Sequence, residues 1–176
     1  MAEEKKEPWL NQLALATVIL AVCATLSTFK GGGYSTRSLI NQEQATDLWA
    51  QYQAKSTKLN LYEIELGRMK LAHLTLPKDE AVIAAYDKKE ADYAAKIEHY
   101  ESDRKDIDKL ARQKEADRDD AQKHGKPFGM AVIFLQVAIL MNSIAGLMKR
   151  RWIYLTALPV GLVGLVFFVD GFLLFF

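Results

Sequence analysis

The sequence predicts an all-α membrane protein: three transmembrane helices plus a long antiparallel coiled-coil helical hairpin. Three observations predict it. Most of the charges fall within residues 36–125, while the apolar stretches on either side hold few. Those stretches each run for about 20 residues, the length that crosses roughly 30 Å of hydrocarbon. The charged middle carries two apolar runs spaced alternately by three and four, divided by Pro77.

In chain order, residues 1–8 form a charged tail with Lys5 and Lys6. Residues 9–29 are the first predicted span, opened by Trp9, a residue suited to the membrane interface. A signal peptide is the rival, but no clear small-x-small cleavage site follows the apolar core. Leu20-Ala21-Val22-Cys23 has the outline of a lipoprotein cleavage box, which valine before the cysteine fits poorly. Cys23 is the single cysteine and excludes an internal disulfide. Ala14, Thr17, Ala21, Ala24 and Thr28 make a small-residue seam. Small side chains let helix backbones approach in a bilayer, so this face is expected to pack on protein.

Residues 30–35 contain Gly31, Gly32 and Gly33, read as a joint where the helix breaks. They lack the lysine and hydroxyl of a phosphate-binding loop and follow no predicted strand. Residues 36–125 are the hairpin. Its first arm has the seam Ala45, Leu48, Tyr52, Lys55, Leu59, Tyr62, Leu66, Met69 and His73, with Trp49 beside it. At 1.5 Å per residue that arm is roughly 60 Å long. Ala50, Ala54, Leu61, Ile64 and Leu71 form a second apolar face, one more than a two-helix hairpin needs. A compact soluble bundle of shorter helices is the alternative, with Gly67 as a break.

Proline disfavours helix in the residue before it, so the turn is placed near Pro77. Asp79 and Glu80 then open the second arm, where the helix dipole favours acids. The second seam is Ile83, Tyr86, Glu90, Tyr93, Ile97, Tyr100, Arg104, Ile107 and Ala111. Beyond Ala111 the pattern is expected to fade, and Gly125 with Pro127 to stop the helix.

Residues 128–148 and 152–176 are the second and third spans. The loop of residues 149–151, Lys149-Arg150-Arg151, is the densest cationic cluster beside them and is read as cytoplasmic. Counting back places the N-terminus in the cytoplasm and the hairpin outside it, which in a bacterium is the periplasm. Pro159 is expected to kink the third span, and Gly161 and Gly164 to line a packing face. Gln136, Asn142 and Asp170 are polar residues within apolar spans. Asp170 has two readings: a functional intramembrane carboxylate, or a hydrated group at the interface near the chain end.

The net charge of +1 implies neither nucleic acid nor an acidic surface as a partner. His73, His99 and His124 are far apart in sequence, and no serine elbow, cysteine–histidine pair or zinc motif occurs. No catalytic residue, cofactor or metal is expected. The tyrosines at seam positions read as core residues with wet hydroxyls.

The run Gly31-Gly32-Gly33-Tyr34-Ser35-Thr36, then Asn41-Gln42-Glu43-Gln44-Ala45 and Trp49-Ala50-Gln51-Tyr52-Gln53-Ala54-Lys55-Ser56, resembles the domain of unknown function 4337 family. The order of spans matches that family's layout over nearly the whole chain. The resemblance implies a bacterial membrane protein and supplies no activity. Taken together, the expectation is a non-enzymatic scaffold or docking platform that contacts lipid and self-associates. A pore or transporter-like oligomer using Asp170, Gln136 and Asn142 is the alternative, as is an accessory subunit of a larger membrane complex.

Overall fold

The computed structural model describes residues 8–74 and 80–175. They form three helices: α1 (Pro8–His73), α2 (Glu80–Met148) and α3 (Arg151–Leu173). The expected turn at Pro77 and residues 1–7 of the tail lie outside the described residues. The chain divides into two compact units, one of Met1–Ile40 with Arg118–Phe176 and one of Asn41–Asp117.

Two expected breaks are corrected. α1 runs without interruption through Gly31, Gly32 and Gly33, and no glycine among the described residues has a positive φ. A helical glycine costs about 1 kcal/mol relative to alanine, which long helical flanks on both sides outweigh. Gly31 also has a packing reason: a Cβ there would lie 3.1 Å from Phe128 Cβ. Likewise α2 passes through Gly125 and Pro127. Proline removes one helical hydrogen bond at a cost of about 3 kcal/mol. Burial of Ala121, Pro127, Phe128 and Ala131 around it offsets that loss. Gly67 does not break α1, and Pro159 lies inside α3 on its exposed side.

The seam of α2 does not fade beyond Ala111. Lys114, Glu115, Asp117 and Arg118 are half-buried, and Ala121 and Phe128 are fully buried. Long charged side chains cover apolar surface with their stems while their ends stay polar, so a charged run can continue a buried face.

α2 ends at Met148 in a Schellman turn. Arg150 N donates to Ala145 O at 3.1 Å and Lys149 N to Gly146 O at 3.4 Å, with Lys149 at φ 49°. This two-residue connection sends α3 back along α1 and α2. Trp9 and Leu13 of α1 then pack with Ala145 of α2 and with Ile153 and Tyr154 of α3. A second cluster joins Leu20, Ala24, Ala131, Leu135 and Ala138. Each of the three helices holds a stretch long and apolar enough to cross a membrane.

Candidate functional site

In the unit Asn41–Asp117, partners ascend along α1 as they descend along α2. Trp49 meets Glu115, Tyr52 meets Arg104, and Lys55 meets Asp103. Further along, Tyr62 meets Tyr93 and Tyr100, and His73 meets Asp87. These side chains stand at or beside seam positions, so the interior of the helix pair is a ladder of rings and charges. The Trp49 indole N–H donates to Glu115 Oε1 at 3.0 Å, and Trp49 packs edge-on to Tyr52. Arg104 donates from Nη2 to the Tyr52 hydroxyl at 2.7 Å while its guanidinium carbon lies 4.8 Å from the ring centroid.

Lys55 Nζ donates to Asp103 Oδ2 at 2.6 Å and stands 5.1 Å from the Tyr100 ring centroid. That hydrogen bond is the main reason the Lys55 ammonium is held above its ordinary range and the Asp103 carboxyl below its own. Trp49, Tyr52 and Lys55, which lie in the motif that carries the sequence resemblance, thus all reach across to α2. Chemically such a ladder fixes register, because a slip by one turn would strand polar groups against rings.

Leu59 is buried, and Tyr62, Leu66, Tyr86, Tyr93, Ile97 and Tyr100 are half-buried. The second apolar face of α1 is open: Leu61, Ile64 and Leu71 are 57%, 54% and 69% exposed, and Ala50 and Ala54 are exposed with them.

The other unit is built differently. Gly161 faces Leu20, whose methyls would lie 3.2 Å from an added Cβ. At Gly164 an added Cβ would come within 2.8 Å of Leu135 Cγ. At Gly171 it would come within 2.8 Å of the Phe128 ring. The expected small-residue seam of α1 is packed within the chain only in part. Ala24 is buried and Thr17 and Ala21 are half-buried, but Ala14 and Thr28 are exposed. The inward stripe is instead Trp9, Leu13, Leu20, Ala24 and Ser27. The glycines of α3 supply the space, so α1 can turn leucines inward rather than its smallest residues.

The three polar residues of the spans have separate surroundings. Asn142 is buried and donates from Nδ2 to Thr17 Oγ1 at 3.1 Å. Thr17 in turn donates to Leu13 O at 2.8 Å. Gln136 is exposed. The hydrated reading of Asp170 is corrected: it is only 2% exposed. Its Oδ1 accepts the Phe175 N–H at 2.6 Å and its carbonyl accepts the Leu174 N–H at 2.7 Å. The carboxylate therefore caps the end of its own helix, where carbonyls otherwise lack partners. Nearby, His124 Nδ1 lies 3.2 Å from Gly171 O, and the His124 ring stacks on Tyr34 at 5.0 Å.

A cluster that sequence reasoning missed sits where α1 ends. His73 of α1 and Asp87 and Glu90 of α2 bring one ligand atom each within 4.8 Å of one another. Only Asp87 and Glu90 are close in sequence; the third donor comes from the other helix. The available signal was that His73 and Glu90 both occupy seam positions where apolar residues are expected.

Three helices with apolar stretches of spanning length define the class: a helical protein with candidate membrane spans. The chain belongs to the family described as Domain of unknown function (DUF4337), which it matches over residues 9–174. No curated protein and no solved structure matches it.

Proposed function

We propose that this chain is a self-associating membrane protein that serves as a structural scaffold or docking platform and is not an enzyme. Residues 9–29, 128–148 and 152–176 cross a bacterial inner membrane, with the N-terminus and residues 149–151 in the cytoplasm. Residues 36–125 form an antiparallel coiled-coil hairpin in the periplasm.

The observation that carries this reading is the inverted surface of the unit formed by Met1–Ile40 and Arg118–Phe176. Its exterior presents large apolar side chains such as Leu15, Val22, Phe29, Ile133, Leu140, Leu155 and Leu162. Its interior mixes a few large side chains, Leu20, Phe128 and Leu135, with alanine, glycine, Ser27 and Asn142. Water would make that arrangement unstable, whereas lipid tails suit it. Self-association is supported by the open face of Leu61, Ile64 and Leu71, and by Gln136, whose amide requires a partner if that face meets hydrocarbon. Of the polar residues that would line a transport path, Asn142 bonds Thr17 and Asp170 caps its own helix end, which favours the scaffold reading.

The test is cross-linking and sizing of the intact protein in mild detergent. The expected result is a discrete oligomer that dissociates when Leu61 and Ile64 are both changed to glutamate. A clean monomer at all concentrations removes self-association. Cysteines placed one at a time at Lys58, Lys109 and Arg150 of a Cys23→Ser protein test the topology. Impermeant maleimide is expected to label the first two in intact cells and spare the third.

A further inference from the structure

His73 ends α1, and Asp87 and Glu90 lie three apart on the facing part of α2, so both carboxylates present to one side. His73 Nδ1 is 3.8 Å from Asp87 Oδ1. Lys70, one turn before His73, reaches Glu90 Oε1 at 3.8 Å. His73 and Glu90 hold positions where the two seams otherwise present rings and aliphatic chains. Polar residues at such positions cost stability unless they interact. Neither Lys70–Glu90 nor His73–Asp87 is a close contact, so the pairs as they stand compensate weakly.

We propose that His73, Asp87 and Glu90 bind a divalent transition-metal ion of the zinc class, stapling α1 to α2. One imidazole nitrogen with two carboxylate oxygens is a donor set that suits zinc better than calcium or magnesium, which take oxygen almost alone. Ligand atoms around tetrahedral zinc lie about 3.3 Å apart, given metal–ligand bonds of about 2.0–2.2 Å. The present separations, all within 4.8 Å, close to that value by side-chain rotation. The Asp87 side chain is 60% exposed and free to swing. Water completes the coordination. Lys70 competes for Glu90 and sets a lower affinity than the three donors alone would give.

The test is titration of the intact protein, stripped with chelator and held in detergent, with zinc, magnesium or calcium chloride. Calorimetry reads binding and circular dichroism reads the melting temperature. The expected result is one zinc per chain and a raised melting temperature, with magnesium and calcium inert at the same concentrations. His73→Ala and Glu90→Gln each weaken zinc binding at least about tenfold, while Lys70→Ala tightens it several-fold. Asp87→Asn, on the exposed side, carries the test if His73→Ala fails to fold. His99→Ala leaves binding unchanged. Absence of stoichiometric zinc binding overturns the proposal. So does binding that survives both His73→Ala and Asp87→Asn, or that is lost in His99→Ala.

Discussion

In Asn41–Asp117 the two helices meet through Trp49, five tyrosines and paired charges, whereas in the unit of Met1–Ile40 and Arg118–Phe176 alanines and glycines admit Leu20, Leu135 and Phe128 at close range. The surfaces differ as well: the first is mostly polar outside, while the second exposes many large apolar side chains along its candidate spans, with charges such as Arg37, Asp119 and Lys123 beyond them. A pair of helices in water buries little area, so each contact must be large, and aromatic rings supply the most area per residue. Where the surroundings are as apolar as the interior, burial contributes almost nothing, and helices associate by close backbone approach. On the proposed topology, the difference teaches that two parts of one chain can answer to different solvents, one filling its interface with rings and the other using small residues to bring backbones close.

The contrast is broken or sharpened most strongly at Gly164. Two added methyls must enter a space where even a Cβ would lie 3.0 Å from the backbone N of Leu135. Gly164→Val is expected to cost about 3 kcal/mol by overpacking, seen as a fall in the detergent melting temperature. An unchanged melt would mean that the glycine face is loose and the contrast false. In the other unit the sensitive direction is removal. Leu59→Ala empties a buried seam position and is expected to cost about 2 kcal/mol. Trp49→Phe keeps the ring but deletes the indole N–H that Glu115 accepts, for about 1 kcal/mol. Gly32→Ala has the opposite sign. Nothing lies within 4 Å of the added methyl, and removal of a helical glycine stabilises by about 0.5–1 kcal/mol. A loss there instead would locate a second copy against α1.

The same contrast explains what could be read from residues alone. Along α1 from Ala45 to His73 the three-four spacing and the buried side coincide, because in that unit size and apolarity vary sharply between faces. Between Trp9 and Thr28 nearly every residue is apolar or small. Spacing there cannot say whether alanines or leucines turn inward within the chain: Leu13 and Leu20 are buried, while Ala14 and Thr28 are exposed. Gly31–Gly33, Gly125 and Pro127 are locally helix-breaking, and local propensity is a weak guide where tertiary packing holds both flanks. The Trp49–Glu115 bond and the His73 cluster depend on the register between α1 and α2, which no single-helix pattern contains.

The smallest expected effect concerns the Lys55–Asp103 pair, and it separates ladder electrostatics from ladder packing. The Asp103 carboxyl is depressed chiefly by the Lys55 hydrogen bond, with His99 3.6 Å away adding to it. Its contribution is therefore present above its ordinary value of 3.8 and is lost as pH falls through the lower folded value. The Lys55 ammonium is raised by the same bond, with the Tyr100 ring beside it. Its contribution is complete below its ordinary value of 10.5 and is lost as pH rises through the higher folded value. Melting temperature measured from acid to alkaline pH should thus show a shallow plateau between those limits. In a Lys55→Met, Asp103→Leu double variant the plateau should flatten while the stacking of Tyr62 on Tyr100, followed by near-ultraviolet circular dichroism, persists. If the plateau survives in the double variant, the pair is a passenger on the rings; if the stacking signal disappears with it, the charges hold the rings in register.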